Sequence, residues 1–134
     1  MIATRRPDWR PRLVAYLEEV RARPFAYGTH DCALFVAGAV EAMTGFDAAA
    51  GFRDQYDSLK GGLKLLPKGD HVALVGRLLE EVPVAFAQVG DIAVIGEIGV
   101  PALGLFEGES VLVVRDEGVG HMPRSAATQA FRVP

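Results

Sequence analysis

Cysteine is almost absent from this chain. Cys32 is the only one in 134 residues, which excludes an internal disulfide, and with three histidines the chain is short of the ligands a structural zinc site draws on. Long apolar runs are missing too. No stretch approaches the ~20 residues needed to cross a bilayer, so no membrane span is expected. Met1 to Pro7 holds no apolar signal region, and Arg5-Arg6 is not followed by the run a twin-arginine signal needs, so synthesis in the cytoplasm is expected. Nor is there charge of one sign to exploit. Fourteen basic and 17 acidic residues leave a net charge of −3, with the basic residues scattered rather than striped, which argues against a nucleic-acid partner. Repeats, low-complexity tracts and linkers are lacking, and no motif calls for a cofactor. What remains is a half-apolar chain that suits one domain over 1–134 with one core.

The lone cysteine sits where the chain changes character. Tyr27-Gly28-Thr29-His30-Asp31 is polar loop chemistry, and Ala33 to Val40 is unbroken apolar sequence. Asp31 can cap a helix by accepting its free first-turn amides. Cys32 then lies in that turn, where the positive end of the helix dipole is expected to lower the thiol pKa. The apolar run predicts a buried central helix ending at Thr44, with Gly45 as its left-handed C-terminal cap. A cysteine so placed reads as a nucleophile. It also reads as core, because Cys32, Phe35, Val36, Ala39 and Met43 share one helical stripe.

In chain order, Asp8 is expected to cap a helix from Trp9 to Val20, stopped at Pro24. Gly45 to Tyr56 reads as an irregular segment pinned by Phe52 and Tyr56. Ser58 is expected to cap a short helix through Leu66, Pro67-Lys68-Gly69 to turn, and Asp70 to cap a helix from His71 to Glu81 with Val72, Val75, Leu78 and Leu79 inward. Strands are expected at Ile92–Ile95, Ala102–Phe106, Val111–Val114 and Gly118–Pro123. A glycine-containing hairpin turn is expected at Glu107–Ser110, one helical turn at Ser125, and a closing edge strand at Phe131–Val133. Helices first and an antiparallel sheet afterwards make an α+β domain.

Asp31-Cys32-Ala33-Leu34-Phe35 at a helix start, Gly90-Asp91-Ile92-Ala93-Val94, and a strand pair around a glycine turn resemble the NlpC/P60 family. More narrowly, Tyr27 to Phe35 and Ala102-Leu103-Gly104-Leu105 resemble the DUF6950 type, found in phages and prophages among tail genes. The resemblance implies a papain-like fold, the Cys helix buried against the sheet, and cleavage of peptidoglycan stem peptides with Cys32 as nucleophile. It also implies a histidine base opening the strand after Gly90-Asp91, and there this chain has Ala102. The next strand, Val111 to Val114, offers no group to orient an imidazole. A nucleophile needs a base within reach and a group holding that base. His30 and His121 are the candidate substitutes, while His71 is expected to be solvated. Tyr27, Asp31 and Asp91 are candidate binding residues, with Asp91 also read as ordering the turn before its strand. The expectation is therefore a degenerate scaffold in the tail of a virion, docking other tail-tip or hub proteins. The alternative is a cysteine peptidase acting on peptidoglycan. A thiol-dependent acyl transferase is a third class.

Overall fold

The computed structural model describes residues 4–66, 69–96 and 100–134. It is an α+β domain with helices first and an antiparallel sheet after them. Helix α1 spans Trp9–Val20, as its periodicity predicts, and buries Leu13 and Val20. Asp8 stands at its N-cap position but caps nothing. Its carboxylate takes Arg12 Nε, one turn on, at 2.8 Å, because a charged donor competes better than a neutral amide.

Helix α2 spans Cys32–Thr44, with the ends its sequence predicts. Asp31 Oδ1 accepts the Leu34 amide at 2.9 Å, and Gly45, at φ +83°, closes the helix with its N–H on Glu41 O. Leu34 to Val40 are all buried. Helix α1 lies on α2 at Gly38. A Cβ there would stand 2.3 Å from the Tyr16 hydroxyl, which donates to Phe35 O at 2.7 Å. The glycine is the recess that lets the ring lie flat on the helix.

Turns fill the segment after Gly45, and α3, Leu59–Lys64, follows under a Ser58 cap, ending two residues before the expected Leu66. The turn expected at Pro67-Lys68-Gly69 lies largely outside the described residues. Helix α4, His71–Leu78, is capped by Asp70 through the Ala73 amide at 3.0 Å. It stops three residues short of Glu81. Leu79 turns extended and Glu80–Val82 becomes strand β1, paired with Ala130 to Arg132 far along the chain. Ladder bonds to a distant strand outweigh a local helical period there.

The other strands are β2 (Ile92–Ile95), β3 (Ala102–Glu107), β4 (Ser110–Arg115), β5 (Gly118–Pro123) and β6 (Ala127–Arg132). Their order is β1-β6-β2-β3-β4-β5, every pair antiparallel. The hairpin at Glu107–Ser110 is present, with Gly108 at φ +56°, and the single turn near Ser125 is a 3-10 turn over Arg124–Ala126. The closing strand is not an edge. β6 lies between β1 and β2, because the extended Glu80–Val82 covers its outer side.

Both faces of the sheet are apolar. Helix α2 packs Phe35, Val36, Ala39, Val40 and Met43 against Leu103, Leu105, Ile92 and Val94. Each of these buried side chains other than Ala39 contributes about 1.5–3 kcal/mol. On the other face, Ala93, Ile95, Phe106, Val111, Val113 and Ala130 form a second cluster. Arg124 clamps that face. Its guanidinium lies 4.9 Å from the Phe106 ring centroid and donates to Val84 O, Ala87 O and Gly108 O. No helix among the described residues is long and apolar enough to cross a membrane.

Candidate functional site

Asp31 organises the start of α2. One oxygen caps the helix at Leu34. The other accepts the Gly28 amide at 3.1 Å and a short hydrogen bond from the Tyr56 hydroxyl. Asp31 is 4 % exposed, so all of these are made out of bulk water. Gly28 is required where the loop meets Tyr56. Its φ is +83°, and a Cβ there would lie 1.9 Å from Tyr56 O. The Gly28 carbonyl in turn accepts the Asp54 amide at 2.8 Å. The loop before the cysteine is thus stitched to the segment around Tyr56.

Cys32 lines a cavity of about 130 Å³ between α2, α3, α4 and β3. Its walls are mainly aliphatic, among them Val36, Leu63, Leu74 and Leu103, and Tyr27, Asp31, Tyr56 and His71 are the polar-headed members. The thiol does not have the lowered pKa that its place in the first turn predicts. Burial is the largest influence and pushes it up, and the Asp31 carboxylate pushes the same way. The amides of Leu103, Ala33 and Cys32 itself pull downward but do not win. The helix-end field is real, yet a carboxylate in the cap and an apolar cavity around the sulfur outweigh it.

The expected substitute bases do not share this cavity. The His30 ring is 3 % exposed and meets the Phe35 ring edge-on at 6.0 Å. It lines a different groove, between α1 and α2, and its Nε2 has no hydrogen-bond partner. Burial lowers its pKa, Arg23 adds to that, and Asp31 opposes it. His121 is exposed on the edge strand β5, two strands from β3. Ala102 opens β3 as expected, but its side chain packs with the second cluster, on the sheet face away from α2. Leu103 is the residue presented to the cavity.

Asp91 is also outside the cavity. It is fully buried and ties the fold together. Oδ1 accepts Arg5 Nη2 at 2.9 Å and the Val133 amide at 3.0 Å, and Oδ2 accepts the Gln88 amide at 2.8 Å and Arg132 Nε at 3.0 Å. Its role is to order the turn before β2, and a second role as a ligand-binding group has no lone pair left to use. Tyr27 and Asp31, by contrast, do stand beside Cys32.

Two residues at the site were not read as such in the sequence. Tyr56 was visible as a pin but not as the partner of Asp31. His71, expected in water, is half-buried, lines the Cys32 cavity, and has Nε2 on Pro101 O at 2.5 Å. A signal existed, since His71 shares a helical face with Val75 and Leu78, both of which point inward. Among the described residues no cluster of three or more His, Cys, Asp or Glu could hold a metal ion.

The family model for DUF6950, a domain of unknown function, matches residues 4–133, and the chain belongs to that family. None of the curated proteins matches it.

Proposed function

We propose that this member of the DUF6950 family is a non-hydrolytic docking module of a phage-type tail, built on a degenerate papain-like, NlpC/P60-type scaffold. The tail setting rests on the likeness of Tyr27 to Phe35 and Ala102 to Leu105 to phage-encoded proteins of tail regions. The absence of hydrolysis rests on one observation above all: Cys32 lines an apolar cavity that neither His30 nor His121 enters, and burial there pushes its thiol pKa up. Base assistance is worth roughly 10²–10⁴ in rate, and a neutral thiol attacks poorly without it. The partners of such a module are other tail-tip or hub proteins. The test is direct. Purified protein incubated with peptidoglycan is expected to release no peptides, and release that Cys32→Ser abolishes would sink the reading.

A second reading has its own observation. His71 shares the cavity, and with Nε2–H donated to Pro101 O the ring keeps Nδ1 as its basic nitrogen. The carbonyl then does the orienting that a third polar side chain would do. In a cysteine peptidase built this way, sulfur bonds to the scissile carbonyl carbon while its proton passes to His71 Nδ1. The imidazolium then protonates the leaving amine as the C–N bond breaks, and water hydrolyses the thioester. Loss of activity in His71→Gln, with His30→Gln unaffected, is the result that favours this route.

A further inference from the structure

Helices α3 and α4 turn their apolar residues toward the Cys32 cavity without closing over it. Leu63 on α3, Leu66 just beyond it, and Leu74 and Leu78 on α4 all line the cavity, and all four stay half-buried. Helix α3 buries no residue fully and α4 only Val75. Leu59 and Tyr27, also on the lining, are 38 % and 39 % exposed, so the cavity opens to solvent through an apolar mouth. Leucines that face a cavity forfeit the dispersion contacts that close packing supplies.

The wall is held in place rather than slack. Helix α3 rests on the Tyr56 ring at Gly62, where a Cβ would stand 3.0 Å from the ring carbons, and the Tyr56 hydroxyl is fixed by buried Asp31. The lining also selects a charge. Among the described residues no lysine or arginine lines the cavity, and the one carboxylate there, Asp31, is committed to Leu34, Gly28 and Tyr56. A charged head group would lose its water and gain no counterion. The size sets a length. An apolar cavity of about 150 Å³ stays dry and takes benzene, so the 130 Å³ here suits about six carbons.

We propose that the cavity between α2, α3, α4 and β3 is a binding site for a small uncharged aliphatic ligand, its chain of about six carbons lying among Leu63, Leu74 and Leu103 and its neutral polar end at the mouth. This goes beyond tail docking and rests on the cavity walls, so its test is separate from the release of peptides from peptidoglycan.

The experiment follows side-chain methyl signals by NMR while 1-butanol, 1-hexanol, 1-octanol and hexanoate are added in turn at about pH 7. Saturable movement of the Leu63, Leu74 and Leu103 signals with 1-hexanol is expected, with Ile95 and Val113 on the other sheet face staying still. Affinity is expected to rise about fourfold per methylene from 1-butanol to 1-hexanol, then to change by less than about twofold to 1-octanol. Hexanoate is expected to bind at least about tenfold more weakly than 1-hexanol. Leu63→Gln is expected to weaken 1-hexanol binding about tenfold, while Val14→Gln, exposed on α1 and not on the lining, leaves it unchanged. Leu74→Gln is the second variant should Leu63→Gln fail to fold. The absence of saturable movement, affinity that keeps climbing to 1-octanol, or hexanoate binding as tightly as 1-hexanol overturns the proposal.

Discussion

Three aspartates precede helices in this protein, and their removal separates capping from what else a carboxylate can do. In Asp31→Ala the α2 cap is lost, at about 1 kcal/mol. The buried Gly28 amide is left without an acceptor, at about 1–3 kcal/mol, and the half-buried Tyr56 hydroxyl loses its partner, at about 1 kcal/mol. The expected total is about 4 kcal/mol, which for a domain of this length lowers Tm by roughly 12–15 °C. Asp31→Asn keeps an acceptor for Leu34 and is expected to cost about 1–2 kcal/mol. Asp70→Ala loses one cap bond to Ala73 and is expected to cost about 1 kcal/mol. Asp8→Ala, which caps nothing and gives up only its exposed ion pair with Arg12, is expected to change Tm least of the three. Urea unfolding followed by circular dichroism, with m-values compared across the set, supplies the numbers. An Asp31→Ala cost no greater than that of Asp70→Ala would refute the view that Asp31 binds loop, helix and Tyr56 together.

Other outcomes follow from the same geometry. Iodoacetamide is expected to alkylate Cys32 in the native protein at least about tenfold more slowly than in the urea-unfolded chain, because burial favours the neutral thiol; equal rates, or fast native labelling at pH 6, would show a thiolate instead. His30 has its folded pKa below the unfolded value of about 6.5, so the unfolded state takes up the proton first. Stability is expected to be full above about pH 7 and to fall as pH drops through 6.5, levelling off below the folded pKa, and His30→Gln is expected to flatten that slope. A wild-type profile flat from pH 5 to 7 would contradict it. Gly38→Ala is expected to cost about 2 kcal/mol, since the new methyl displaces Tyr16 by more than the helix gains. Tyr16→Phe should recover part of that loss in the double variant, and strict additivity of the two changes would count against the contact.

What the sequence made legible was local. The Asp31 and Asp70 caps, the Gly45 stop and the Glu107–Ser110 hairpin each depend on residues within a few positions, and each stands where it was expected. The misreadings were non-local. α4 ends early because β6, some fifty residues later, recruits Glu80–Val82, and the same pairing turns an expected edge into an interior strand. Asp8 was a fair capping residue until Arg12 took its carboxylate. At the site, the helix field on Cys32 could be read from its position. The opposing burial could not, because the cavity wall comes from α3, α4 and β3 as well as from α2 itself. His30 adjoins Asp31 and Cys32 in sequence yet faces the other groove, a separation that only the direction of the chain entering α2 decides.

The Asp91 carboxylate has a consequence for where the backbone enters and leaves the domain. One oxygen holds both Arg5 and Val133, and Arg5 Nε also reaches Val133 O at 3.0 Å, so the two ends of the described fold are fastened at a single point. A domain whose entry and exit meet can be spliced into a surface loop of another protein, or joined end to end and reopened elsewhere, with little distortion of the host. The same coupling makes trimming unsafe, since cutting back past Val133 at one end loosens the first helix at the other.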